Sequence, residues 1–326
     1  MTGDFNLDGV PIRDTFAEAF DMKATRLIVT AADQRWCHDA AMAMVGFGTS
    51  VIACGVEIAI ERVLHESETP DQRPGIAILA FAVSGRELEK QIPRRAGQCI
   101  LTCPTASIYG GMMRDGINAG RSSIPKRIPL GKSLRFFGDG YQISKSITLV
   151  DEAGRDQVRR YWRIPVMDGE FVCEHDVGRV DAIGGGNFIL FGRCLSSVTI
   201  ACRAAVDAMS PLPGIITPFP GGATRSGSKV GSKYPSVFAS TNDRFCPSLR
   251  GQTDSLLPDD AAVAIEIVLD GLTADEIRSA MNAGIRAACK AKSDSGRKLI
   301  GITAGNYGGQ LGRHHFHLRD VLKDGP

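Results

Sequence analysis

Glu266 has the surroundings that most suggest chemistry. It stands inside Val263-Ala-Ile-Glu-Ile-Val-Leu269, with aliphatic neighbours on both sides. A carboxylate in such a strand interior loses solvent, which raises its pKa and lets it act as an acid or hydrogen-bond donor near neutral pH. The competing reading puts it on a solvated sheet face or against an arginine. His314-His-Phe-His317 would set two histidines on one strand face, yet no carboxylate or thiol cluster at supporting spacing completes a zinc site, so no metal is expected. Gly222-Ala-Thr-Arg-Ser-Gly-Ser-Lys229 has the outline of a phosphate loop with its lysine one residue late and no strand–loop–helix context. It reads as a polar surface loop, although the doubled Gly-Ser-Lys could present backbone N–H groups, Lys229 and Lys233 to an anionic ligand. Cys99 and Cys103 read as packed thiols. There is no Gly-x-Ser-x-Gly elbow to support a serine hydrolase.

The elements that would position these residues repeat. In the C-terminal half, Asn187–Gly192 reads as a strand. A helix capped by Ser196 or Ser197 follows, with Val198, Cys202, Ala205 and Met209 on one face. Gly214–Pro218 and Val263–Leu269 read as strands. Thr273-Ala-Asp-Glu276 is a capping box opening a helix with Ile277, Met281, Ile285 and Ala288 inward, and Lys298–Thr303 closes the set. The N-terminal half offers the same order: strand Arg26–Thr30, helix Asp33–Met44, strands Ser50–Cys54 and Ile76–Val83, a helix capped at Ser84, and strand Cys99–Thr102. An extra helix opened by Thr15-Phe-Ala-Glu18 precedes it. Two β-α-β-β-α-β runs predict an α+β protein of duplicated ferredoxin-like (split β-α-β) lobes, antiparallel sheets flanked by helices. The join is expected near Ile164-Pro165, after the polar stretch Asp151–Arg160, giving lobes over residues 1–167 and 168–326.

Composition narrows the function classes. At about 150 residues per domain, 326 residues suggest two domains. Lys plus Arg is 38 and Asp plus Glu is 36, a balance that excludes a basic nucleic-acid tail or an acidic solvating one. The strands are aliphatic and aromatic residues make up 6%, so they offer little for stacking RNA bases. Met1–Val10 lacks the apolar run of a signal peptide, and Ala40–Val56 is broken by glycines and polar residues, so no membrane segment is expected. Nine cysteines without a CxxC pair predict reduced thiols and a cytoplasmic protein. Thirty-seven glycines are an excess, concentrated in loops that let backbone approach a ligand.

Those loops also carry a family resemblance. Asp14–Phe20, Gly46–Ser50, Gln98–Ser107 and Phe136-Phe-Gly-Asp-Gly-Tyr141 resemble, in order, segments of formylmethanofuran–tetrahydromethanopterin formyltransferases. So do Gly185–Phe188, Pro218–Gly222, Ser228–Lys233, Ala239–Asp243, Cys246-Pro247 and Ala304–Gly309. The resemblance covers nearly the whole chain and is specific in combination rather than at any one motif. It implies the two-lobed fold of that family. It also implies reversible formyl transfer between N5 of tetrahydromethanopterin and the amine of methanofuran or a bacterial analogue. Both coenzymes would be substrates, with no bound cofactor. The family's catalytic glutamate matches Glu266. Substrate-binding roles for Ser107, Asp139, Asn242, Cys246, Lys229 and Lys233 follow only from where the motifs lie.

The sequence departs from archaeal relatives in two ways. Gly110–Lys132 is basic and Gly/Ser-rich where they are acidic, and the net charge of +2 contrasts with their acidity. Both features resemble bacterial, methylotroph-type members, in which this chain type is one subunit of a formyltransferase/hydrolase complex acting in the oxidation of formaldehyde to formate. The resemblance further implies a homotetramer and partner subunits. The alternative is a non-catalytic pterin-binding scaffold subunit, which the presence of Glu266 disfavours.

Overall fold

The computed structural model describes residues 3–112, 126–150, 156–293, 296 and 298–323. Most of the basic Gly110–Lys132 region and the start of the Asp151–Arg160 stretch lie outside the described residues. The chain divides into two compact units, Lys23–Asp181 and Met1–Met22 with Ala182–Pro326. Each is a mixed α+β unit with a mostly antiparallel sheet flanked by helices.

In the Lys23–Asp181 unit the strand order is Glu57–Leu64, Gly75–Ala82, Phe16–Thr30, Ser107–Gly110, Gly169–Glu174, Asp156–Val166, Ile143–Val150. All neighbours are antiparallel except Ser107–Gly110 against Gly169–Glu174. The helix Gln34–Val45 buries Cys37, Ala40, Ala41 and Met44, and Gly85–Arg95 buries Leu88 and Ile92. These residues, at spacings of three and four, meet Leu27, Val29, Ile76 and Ile78 in one core.

In the other unit the order is Ile215–Ile216, Val263–Gly271, Val177–Gly192, Gly301–Thr303, Val10–Ile12, Phe5–Leu7. Leu195–Met209 and Ala274–Lys290 supply Val198, Ala205, Ile277, Met281 and Ile285 to a core with Phe188, Leu190, Ile267 and Leu269. On the opposite sheet face, Ile189 and Phe191 pack under Leu257 and Ala261 of the long segment after Ile216. Strand alternation sends Ile265, Ile267 and Leu269 to the helices and turns Glu266 to this second face. Among the described residues no helix is long and apolar enough to cross a membrane.

The boundaries of the two compact units fall inside the Phe16–Thr30 and Val177–Gly192 strands. Several local expectations change. Met1–Met22 joins the C-terminal unit because Val10–Ile12 pairs in parallel with Gly301–Thr303, Ile12 opposite Ile302. Thr15–Glu18 does not open a helix. Residues from Phe16 onward form a strand with Ala17 and Ala19 buried, paired to His314–His317. Ser50–Cys54 is a helical turn, because Ser50 Oγ accepts the Ile52 N–H and Glu57 accepts that of Val51. The strand of this region is Glu57–Leu64, masked in sequence by Glu57, Glu61 and Arg62. Buried Glu61 pairs with Arg26 through two hydrogen bonds of 2.6 and 2.7 Å. Cys99–Thr102 is no strand: a wide turn over Ala96–Ile100, closed by Leu101 N–H to Ala96 C=O at 2.9 Å, extends the helix, and Ser107–Gly110 is the sheet member. The cap of Leu195–Met209 is Cys194 rather than a serine.

Candidate active site

Glu266 is held from every side within the C-terminal unit. Its strand pairs it with Ile189, and on its other edge Thr224 exchanges two backbone hydrogen bonds with it, of 2.7 and 2.9 Å. Thr224 lies in a stretch of some 45 residues from Thr217 to Ala262 with only short turns and the two-residue ladder Lys229–Val230/Ala239–Ser240. A loop of that length inside a compact unit is usually functional. Here it folds over the second sheet face and buries the carboxyl, leaving Glu266 7% exposed.

One oxygen of that carboxyl is satisfied. Ser228 Oγ donates to Oε2, and Asn242 Nδ2 donates to the same oxygen at 3.0 Å and to Ser228 Oγ at 2.8 Å. Among the described residues nothing donates to or accepts from Oε1, which faces Gly305. A Cβ on Gly305 would lie 3.5 Å from Oε1 and 3.2 Å from Asn187 Oδ1. Asn187 clamps Gly305 by accepting its N–H at 2.5 Å and donating to its C=O at 3.1 Å. Burial pushes the Glu266 carboxyl up to about 7, with the bonds from Ser228 and Asn242 pulling the other way. The acid is thus substantially protonated near neutral pH. Two donors on Oε2 leave the proton to Oε1.

Of the other expected site residues, Asn242, Cys246 and Lys229 gather around Glu266. Asn242 Oδ1 is buried and meets no donor among the described residues. Cys246 Sγ reaches the Asn242 C=O and Thr241 Oγ1, each at 3.4 Å, and so props the turn that carries Asn242. Lys229 is ion-paired with Asp243. Its ammonium holds that carboxyl below the usual range, with Lys233 adding a weaker pull. Lys233 is exposed. Ser107 and Asp139 belong to the Lys23–Asp181 unit. Buried Ser107 accepts from Arg73 at 2.8 Å, and exposed Asp139 ends the Arg135–Gly138 turn with φ of 49°. His314 meets Asp21, His315 meets the Gly312 carbonyl, and no set of three or more His, Cys, Asp or Glu among the described residues is grouped to hold a metal.

Ser228, Asn187 and Tyr307 lie in motifs that carry the family resemblance, yet no spacing marks any of them singly, and Thr15 and Glu18 have the spacing of a helix cap. The signal for Ser228, Asn187 and Tyr307 was the small residues around them, since these let backbone and side chains come close; Glu18 stands in a strand and carries no such signal.

A buried carboxyl whose raised pKa keeps it partly protonated near neutral pH, anchored at one oxygen and bare at the other, is chemically able to donate a hydrogen bond or a proton. Residues 5–166 match the family model of formylmethanofuran-tetrahydromethanopterin formyltransferase and residues 169–321 that of its proximal lobe; the chain belongs to this formyltransferase family. A formylmethanofuran–tetrahydromethanopterin formyltransferase of Rhodopirellula baltica is 68% identical, the alignment covering 97% of this chain and 92% of that one. A subunit of the formyltransferase/hydrolase complex of Methylorubrum extorquens is 48% identical, with 98% of each chain covered. Among solved structures, a chain of the formyltransferase/hydrolase complex from Methylorubrum extorquens with methylofuran superposes with a TM-score of 0.88 at 46% identity, covering 98% of this chain and 99% of that one. The formyltransferase from Methanosarcina barkeri does so with a TM-score of 0.82 at 38% identity, covering 97% and 100%.

Proposed function

We propose that this protein transfers a formyl group between N5 of tetrahydromethanopterin and the primary amine of methanofuran or a bacterial analogue, with Glu266 as its catalytic acid. The observation that carries the reading is the buried Glu266 carboxyl with both donors on Oε2. The amine attacks the formyl carbon, and the carbonyl oxygen becomes an oxyanion; collapse of this tetrahedral intermediate re-forms the carbonyl and breaks the bond to the departing nitrogen, which takes up the proton that the attacking amine gives up. Glu266 Oε1–H donates to that oxygen or relays the proton between the two nitrogens. Asn242 Oδ1, buried without a donor among the described residues, accepts an N–H from a reacting coenzyme. Gly305 leaves room beside Oε1 for the reacting carbon.

Cys246 acts through Asn242. Lys233 meets anionic groups on a coenzyme tail, and Lys229 does so when it leaves Asp243. Ser107 and Asp139 line the coenzyme path in their own unit. The likeness to a subunit of a formyltransferase/hydrolase complex supports work within such an assembly, with this chain as a homotetramer. Nine free thiols favour the cytoplasm. The two units are copies of one ferredoxin-like plan. In each, the strands of the β-α-β-β-α-β run order as fourth, first, third, second, which supports the duplication.

The test is formyl transfer by the purified chain from N5-formyl-tetrahydromethanopterin to a furfurylamine acceptor. Transfer that collapses in Glu266→Gln is the expected result. A chain that binds the pterin but transfers nothing is a scaffold.

A further inference from the structure

Ser228 holds Glu266 only if Ser228 is itself held, and it adjoins a two-residue ladder in a long loop. The tether comes from Tyr307. Its hydroxyl accepts the Val230 N–H at 3.0 Å and donates to the Ser228 C=O at 2.9 Å, gripping the loop backbone at both residues flanking Lys229. Tyr307 is fixed in turn by Glu18. The Glu18 carboxylate, 1% exposed, accepts the N–H groups of Tyr307 (2.6 Å) and Gly309 (2.9 Å) on one oxygen and of Leu311 and Gly312 (2.6 Å each) on the other. Gly312 comes this near only because it has no side chain: a Cβ there would lie 2.3 Å from the Ala19 carbonyl oxygen.

We infer that Tyr307 is a positioning residue for formyl transfer, pinning the Ser228–Val230 backbone so that Ser228 Oγ stays on Glu266 Oε2, with Glu18 holding the loop that carries Tyr307. The inference rests on the acid reading of Glu266. Buried four-donor carboxylates organise loops firmly, since each hydrogen bond to a charged acceptor is strong and none can be traded for water. Tyr307 converts that rigidity into the placement of one hydroxyl. Free of it, Ser228 Oγ would sample other rotamers, the carboxyl would turn, and Oε1 would no longer point beside Gly305.

The titratable groups about the Glu266 cluster are Tyr307, with Glu18 behind it and His315 opposite Glu18 on the paired strand, and on the covering loop the Lys229–Asp243 pair and the Cys246 thiol. Tyr307→Phe and Ser228→Ala leave the others in place, so a moved pH limb in either variant reports Glu266.

The experiment measures kcat and KM from pH 5 to 9 for wild type, Tyr307→Phe, Ser228→Ala and the double variant, with N5-formyl-tetrahydromethanopterin and a furfurylamine acceptor. Each single change is expected to lower kcat about 10-fold with KM within about 2-fold, and the double to lose no more than either. The loss of activity on the basic side should move to higher pH in both, because Ser228 stabilises the charged carboxylate. Glu18→Gln, with Tyr307 intact, should lower kcat and move the limb the same way. Wild-type kcat in Tyr307→Phe, losses that multiply to about 100-fold in the double variant, or an unmoved limb in folded Glu18→Gln would overturn the tether. Full activity in Glu266→Gln would instead sink the acid reading, and the non-additivity of Tyr307 and Ser228 would still decide whether they are coupled.

Discussion

Asn242 and Ser228 both bond Glu266 at Oε2, Asn242 at 3.0 Å, and so leave Oε1 as the oxygen that carries the acid proton. A carboxyl anchored in this way cannot present either oxygen at random. The asymmetry supports the proposed role of Glu266 as an acid.

Formyl transfer should fall as pH rises through about 7, where Glu266 loses its proton. Glu266→Gln should lower kcat by about 100- to 1,000-fold, the usual loss of an acid or oxyanion donor, and should abolish that limb. A pH series of kcat on the two proteins checks both statements.

The acid should cost stability. Its folded pKa of about 7 exceeds the ordinary 4.5, so its contribution is fully present below about pH 4.5 and is lost as pH rises through 7. The difference amounts to about 3 kcal/mol, at 1.36 kcal/mol per pKa unit. Glutamine keeps an oxygen for Ser228 and Asn242 without the charge. Glu266→Gln should therefore be the more stable protein at pH 8 and lose its advantage at pH 5. Urea unfolding at the two pH values measures this, and an equal difference at both would refute it.

Glu18 should act in the opposite sense. Burial raises its pKa, but the backbone bonds from Gly312, Tyr307, Leu311 and Gly309 together outweigh burial and hold it low. A depressed folded pKa gives stability that is present above the unfolded value and lost as pH falls through the folded one. Glu18→Gln should cost about 2–3 kcal/mol at pH 7, since its amide turns N–H groups toward N–H donors. The gap to wild type should close below pH 4. Thermal melts between pH 3 and 7 follow it.

Gly305→Ala should be folded and nearly inactive. Its Cβ would press Asn187 Oδ1 at 3.2 Å and stand 3.5 Å from Oε1, a strain of about 1 kcal/mol placed where the reacting carbon must come. Near-wild-type melting together with loss of transfer is the expected pair of results. Unchanged kcat would mean that substrate approaches Glu266 from another direction.

Much of this was written in the chain itself. The aliphatic run around Glu266 marked both a strand and a perturbed carboxyl, because flanking residues alone decide whether a strand interior is apolar. Thr273, Ser84 and Asp33 announced their helices, since each caps N–H groups within three residues of itself. Local signals failed where distant partners decided. Glu18 has a capping-box spacing, yet its donors lie some 290 residues onward, and the paired strand His314–His317 claims its backbone. Nothing local marks Glu57–Leu64 as a strand, because Arg26, which pairs with Glu61 there, lies 35 residues away.

The sequence by itself determined the α+β class and the family resemblance and singled out Glu266 as a carboxyl in an apolar strand, all of which depend on residue types and on spacings within one element. Only the tertiary structure decided which face of its strand Glu266 uses, that the Thr217–Ala262 loop covers that face, and which carboxyl oxygen is bare. Those depend on hydrogen bonds between Glu266, Ser228, Asn242, Asn187 and Gly305. Such bonds are directional and short-ranged, and no spacing along the chain encodes which of them will close.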